Sequence, residues 1–280
     1  MNLTDPKTIK RTLEQNGFRF SKARGQNFLV DASVPERIAS LVDDSMGVLE
    51  IGPGFGALTQ ALCRHAGKVV AVEVDKRLIP ILAKNLSSCE NLTLLEGDAL
   101  KLDLDAISDM HFKGFCPAVA ANLPYSITSD LLAKLFEAKS YDNVIVMVQA
   151  EVARRLCGQP GTKEYGAFTV FCNVYREPGV LFEVPPDCFM PMPAVNSSVV
   201  RLSLRQPPLV PEECRPLFFR VVRASFAQRR KTIKNALSSA FPPEAVALAL
   251  EAAGIDPTVR GETLNITDFL GVAKQIGIRS

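Results

Sequence analysis

From residue 47 onward, short runs of apolar, β-branched residues alternate with stretches whose apolar positions recur every three to four residues. Buried strands are predicted over 47–51, 68–74, 92–95, 117–120 and 143–148, and helices over 57–65, 77–86 and 129–138. Alternation of this kind implies right-handed crossovers and an α/β fold, with a mostly parallel sheet covered by helices on both faces. After residue 150 the pattern changes. Runs at 180–184 and 198–204 predict a late antiparallel pair at the sheet edge, with a Pro-rich segment, 184–195, between them. The stretch 206–211 reads as a linker, and 212–280 as helical, broken at Pro242, Pro243, Gly254, Pro257 and Gly261. The expected domains are therefore 1–206 and 207–280.

Composition narrows the class. The chain is 47% hydrophobic and 22% charged, which fits a folded globular protein rather than a disordered one. No apolar run approaches the ~18 residues needed to span a bilayer, and Asp5 stands where a signal peptide is basic. A cytoplasmic protein without membrane association is expected. Cys63, Cys89, Cys116, Cys157, Cys172, Cys188 and Cys214 are scattered, with no Cys-x-x-Cys pair, and read as reduced thiols. With His65 and His111 the only histidines, neither a metal site nor a histidine base is expected.

The net charge of +2 conceals two basic regions. One lies within residues 1–30. The other lies within 201–240, where Arg223, Arg229, Arg230, Lys231 and Lys234 are among the cations and only Glu212 and Glu213 oppose them. Clustered cations neutralise phosphates and release counterions, which makes nucleic acid a candidate partner. A solvated helix face explains the same cluster equally well.

Three segments at strand ends could carry chemistry. Glu50-Ile-Gly-Pro-Gly-Phe-Gly56 follows the first strand. Its glycines Gly52 and Gly54 let the backbone turn tightly and approach a ligand, as at the ligand crevice of open α/β sheets. The loop alone does not separate nicotinamide cofactors from S-adenosylmethionine. Glu73, at the end of the second strand, suits the two hydroxyls of a ribose, and Asp75 rivals it for that role. Asp98, after the third strand, reads either as an acceptor for an adenine amino group or as a helix cap.

Asn122-Leu-Pro-Tyr125 follows the fourth strand and points to a specific reaction. The exocyclic amino group of adenine is a poor nucleophile because its lone pair is delocalised into the ring. Acceptors placed on that group favour a more tetrahedral nitrogen and aim the lone pair. The Asn122 side-chain carbonyl and the Leu123 backbone carbonyl supply two. Pro124 fixes the local backbone and removes a donor, and Tyr125 offers a flat face for an unstacked base.

These motifs resemble those of amino-group methyltransferases of the class I, Rossmann-like fold. More narrowly, the chain resembles the ribosomal RNA adenine N6-dimethyltransferase family. Four further segments carry that resemblance: Gly25-Gln-Asn-Phe-Leu29, Phe189-x-Pro-x-Pro-x-Val-x-Ser197, Phe226-Ala-Gln-Arg-Arg-Lys-Thr-Ile-Lys-Asn235 and Arg260-Gly-Glu-Thr-Leu264. The resemblance implies a seven-stranded sheet followed by a small helical domain that binds rRNA. It implies S-adenosylmethionine held by Asn27, Leu29, Gly52, Gly54, Glu73, Asp98 and Asn122. It also implies a target base gripped by the elbow at 122–125 and stacked on Phe189. The implied reaction, for the small-subunit group, is dimethylation of two adjacent adenosines in a hairpin loop near the 3′ end of 16S rRNA, by a monomer.

Related readings remain open at this point. Large-subunit adenine methyltransferases that confer macrolide resistance share most of these motifs, though they more often carry Ile at the position of Leu123. A ribosome-assembly factor without essential catalysis would keep the fold but would not need Asn122. A nicotinamide-dependent reductase leaves Asn122 and Tyr125 without a role.

Overall fold

A computed structural model describes residues 1–17 and 27–278. Gly25 and Gln26 of the N-terminal motif, and Arg19, Lys22 and Arg24 of the first basic region, lie outside the described residues.

The strands are β1 (Phe28–Leu29), β2 (Met46–Ile51), β3 (Lys68–Glu73), β4 (Leu92–Glu96), β5 (Cys116–Asn122), β6 (Asn143–Gln149), β7 (Arg176–Val184), β8 (Phe189–Met190) and β9 (Ser197–Leu204). The helices are α1 (Pro6–Gln15), α2 (Ser33–Ala39), α3 (Ala57–His65), α4 (Ile79–Asn85), α5 (Leu104–His111), α6 (Thr128–Glu137), α7 (Ala150–Leu156), α8 (Ala167–Tyr175), α9 (Arg215–Ala227), α10 (Ile233–Leu237), α11 (Pro243–Ala252) and α12 (Ile266–Gly277).

Seven strands form one sheet in the order β4-β3-β2-β5-β6-β9-β7, and β1 pairs with β8 separately. β4, β3, β2, β5 and β6 run parallel, while β9 is antiparallel to β6. Val48, Val69, Val119, Val144 and Val146 are fully buried, as expected of parallel strands covered on both faces. Successive crossovers run outward from β2 in opposite directions, so the strand order reverses between β2 and β5. That switch point is where an open α/β sheet leaves a crevice beyond its strand ends.

The chain divides into two compact units, Met1–Ala153 with Gly179–Leu204, and Arg154–Pro178 with Arg205–Ser280. Residues 154–178 thus group with the C-terminal helices, whereas the sequence pattern put them with the sheet. The core of that unit joins Val170 and Val174 of α8 to Phe218, Val222, Leu237, Leu250, Phe269 and Ile276. The segment expected to be a linker is packed. Val210 is fully buried, the Arg205 N–H donates to the Tyr175 carbonyl at 2.9 Å, and the Leu209 N–H donates to the Val174 carbonyl at 3.0 Å.

Candidate active site

The parallel registers bring the motif residues to one level. Val48 lies opposite Val69 on one side and Ala118 on the other. Carried to the strand ends, the same offsets set Gly52 beside Glu73 and Asn122. β4 extends the row, with Glu73 opposite Glu96 and Asp98 just beyond. The result is an open cleft beyond the strand ends. All six N-terminal candidates (Asn27, Leu29, Gly52, Gly54, Glu73 and Asp98) line it, as does every residue of 122–125.

Its glycine wall depends on left-handed backbone. Gly52 has φ 71° and Gly54 φ 60°. A Cβ on Gly54 would meet the Phe28 ring at 3.0 Å, so this position needs both the torsion and the missing side chain.

Glu73 is 5% exposed. One carboxylate oxygen accepts the Asp75 N–H at 2.8 Å and the other the Gly54 N–H at 3.4 Å. Burial raises its pKa, and these backbone donors oppose the shift. Asp75 is engaged elsewhere: the Arg77 guanidinium donates to both its oxygens, at 2.9 and 2.6 Å. Glu73 and not Asp75 belongs to the cleft wall. Asp98 lines the cleft and accepts the Leu100 N–H at 3.0 Å within a turn; it does not cap a helix, since Asp103 is the cap of α5.

The elbow is rigid. The Leu123 N–H donates to the Met147 carbonyl at 3.1 Å. The Pro124 carbonyl accepts the Ile127 N–H at 3.2 Å and the Thr128 hydroxyl at 2.9 Å. The Asn122 Nδ2 donates to the Asn27 carbonyl at 3.2 Å. With the amide nitrogen so engaged, Oδ1 is the Asn122 atom that can accept a proton from a ligand. The Tyr125 hydroxyl bonds the Ser197 hydroxyl at 2.7 Å.

Phe189 is not brought into this group. It is 3% exposed and packs in the core with Val34, Ile38 and Val199. In the β1–β8 pair it lies opposite Leu29, and Met190 opposite Phe28. It thus stands beside the cleft lining and not in it.

One cleft residue had no role assigned from sequence. Glu50 is 1% exposed, and its Oε2 has no hydrogen-bond partner among the described residues. Burial pushes its carboxyl up to about 8, with the Glu73 charge adding and the Thr59 hydroxyl opposing. An acid closing an otherwise apolar strand was the available signal. Together, a carboxylate suited to vicinal hydroxyls, an orphaned buried carboxyl oxygen and an apolar wall fit an amino-acid-bearing nucleoside such as S-adenosylmethionine. Among the described residues no cluster of three metal-ligating side chains exists, and no helix is long and apolar enough to cross a membrane.

In the C-terminal unit the basic residues divide by environment. The Arg229 guanidinium donates to the Tyr165 carbonyl at 3.0 Å and pairs with Glu262 at 3.3 Å. Arg223, Arg230, Lys231 and Lys234 are exposed and form no ion pair with another described residue.

Comparison with known proteins gives a consistent picture. The family model described as ribosomal RNA adenine dimethylase matches residues 17–277. Ribosomal RNA small subunit methyltransferase A of Geobacillus thermodenitrificans is 44% identical, the match covering 98% of this chain and 97% of that protein. The protein of the same description from Lachnoclostridium phytofermentans is 45% identical, covering 97% and 96%. Among solved structures, a dimethyladenosine transferase from Plasmodium falciparum superposes with a TM-score of 0.73 at 25% identity, over 88% of this chain and 95% of that one. The 23S rRNA methyltransferase ErmE gives a TM-score of 0.68 at 27% identity, over 89% and 99%.

Proposed function

The chain belongs to the ribosomal RNA adenine dimethylase family, and we propose that it dimethylates N6 of two adjacent adenosines in a hairpin loop near the 3′ end of 16S rRNA in the small ribosomal subunit. It is an S-adenosylmethionine-dependent rRNA adenine methyltransferase. The methyl donor supplies a carbon already activated by its sulfonium, so the protein's task is to hold and orient.

In this reading Glu73 accepts both ribose hydroxyl protons of the donor, and Asp98 accepts from its adenine amino group. The backbone at Gly52 and Gly54 admits the donor's chain to the sheet edge. Asn122 Oδ1 and the Leu123 carbonyl accept the two amino protons of the target adenine and aim its nitrogen. Tyr125 stacks on the flipped base, while the buried Phe189 stands beside the cleft lining, opposite Leu29. No general base is needed, because the proton is lost after transfer from an already cationic nitrogen. Arg223, Arg230, Lys231 and Lys234 meet RNA phosphates.

The observation that carries this reading is the register alignment of Gly52, Glu73 and Asn122, with the Asn122 amide nitrogen engaged by Asn27 so that its oxygen is left to accept. A small-subunit target is supported by relatives of that description at 44–45% identity, against 27% for the large-subunit enzyme. The test is incubation with small and large ribosomal subunits from strains lacking adenine dimethylation, with labelled donor, followed by mass spectrometry of mapped nucleosides. Labelled N6,N6-dimethyladenosine in 16S rRNA is expected. Label confined to 23S rRNA would overturn the assignment.

A further inference from the structure

Ser197 begins β9 and is fully buried. Its position is set from two sides: β9 lies antiparallel to β6 with Ser197 opposite Gln149, and the neighbouring Asn196 carbonyl accepts the Ala150 N–H at 2.9 Å. Its hydroxyl meets the Tyr125 hydroxyl at 2.7 Å. A buried hydroxyl costs free energy unless it is bonded, and the partner here is a residue that lines the cleft.

The geometry of Tyr125 gives that bond a consequence. The backbone end of the side chain is held by the short 3₁₀ turn Tyr125–Ile127 behind Pro124. The phenol end is held by a strand of the sheet. A ring held at both ends keeps its long axis in place over the cleft, whereas a ring held only at Cβ swings about the first side-chain torsion and carries its face away. Burial raises the phenol's pKa further above its already high ordinary value, against the opposing bond to Ser197.

We propose that Ser197 is a positioning residue that locks the Tyr125 ring as a preformed stacking face for the target adenine. The inference rests on the reading of Tyr125 as the stacking residue. Ser197 touches neither donor nor base in this account; it acts through Tyr125. Ordering a loose aromatic side chain on each encounter opposes binding, so the lock raises the fraction of encounters in which the base is held for transfer.

The test is a double-mutant cycle on Ser197→Ala and Tyr125→Phe, read as kcat/KM for unmodified small subunits, with cofactor Kd measured by calorimetry. Tyr125→Phe removes the same bond without altering the buried serine, so its kcat/KM alone still tests the bond if Ser197→Ala folds poorly. Each single change is expected to lower kcat/KM about three- to tenfold, the range of one net hydrogen bond. Cofactor Kd stays within about twofold, and the double variant is no worse than either single one. Additive losses, or wild-type kinetics for both singles, overturn the proposal. Tyr125→Leu separates the two levels. If it methylates like wild type, stacking itself is wrong. If it fails while Ser197→Ala and Tyr125→Phe are normal, only the lock is wrong.

Discussion

The cleft of the N-terminal unit and the basic helices of the C-terminal unit place charge in opposite ways. Glu50 and Glu73 are 1% and 5% exposed, and both oxygens of Glu73 have fixed donors. Arg223, Arg230, Lys231 and Lys234 are exposed and pair with no acid among the described residues. A buried, oriented group rewards one pose of one ligand. An exposed, unpaired cation attracts any phosphate and loses that attraction as salt rises. On the proposed reading the cleft governs rate and selectivity, and the basic face governs affinity. Arg229 differs from them in being bonded to Tyr165 and Glu262 within its own unit.

This division is easiest to break at Asn122. Asn122→Ala is expected to cut single-turnover methyl transfer by about 100-fold or more, the scale of one lost oriented polar contact at a reacting centre, while cofactor affinity stays near normal. A loss seen only in KM would merge the two regions. Glu73→Ala comes next, with cofactor Kd weakened about 10- to 100-fold in calorimetry, since a hydrogen bond to a charged group contributes about 1.5–3 kcal/mol. Asp75→Ala leaves that Kd within a few fold, because its oxygens hold Arg77.

On the basic side, replacing Arg230, Lys231 and Lys234 together by Ala flattens the salt dependence of RNA binding by up to about three log–log units, near one per lost phosphate contact. The rate at saturating substrate is unchanged. Arg229→Ala instead lowers the melting temperature by a few degrees with little change in slope.

The smallest effect concerns Glu50 in the cofactor-free protein. Its carboxyl is raised from 4.5 to about 8 in the fold, so between those values it stays protonated when folded and ionises when unfolded. The unfolded state then binds fewer protons, and stability falls as pH rises through that window. Glu50→Gln should flatten this trend and melt higher than wild type at pH 8, as differential scanning calorimetry would register.

The central strands β2, β3 and β6 were legible because they are largely buried and read as short apolar runs; 57–65 matches α3 residue for residue. The region after 150 was less so. Ala167-Phe-Thr-Val-Phe-Cys-Asn-Val-Tyr175 has strand-like composition, yet it is α8, because Val170 and Val174 fit the helical core of the C-terminal unit and packing overrides propensity. The two-residue β1–β8 pair has no period to read, so the burial of Phe189 opposite Leu29 was invisible. Likewise nothing in a linear pattern distinguishes Arg229 from Arg230, since the difference lies in a glutamate 33 residues away. The choice between Glu73 and Asp75 needed the position of Arg77.

The most direct test of the elbow is a structure of the protein on an unmodified small subunit with a non-reactive donor analogue, read as one distance. The account predicts the target adenine N6 about 3 Å from Asn122 Oδ1, within hydrogen-bond reach. An adenine lodged away from 122–125, or one that meets Asn122 through its amide nitrogen, would contradict it.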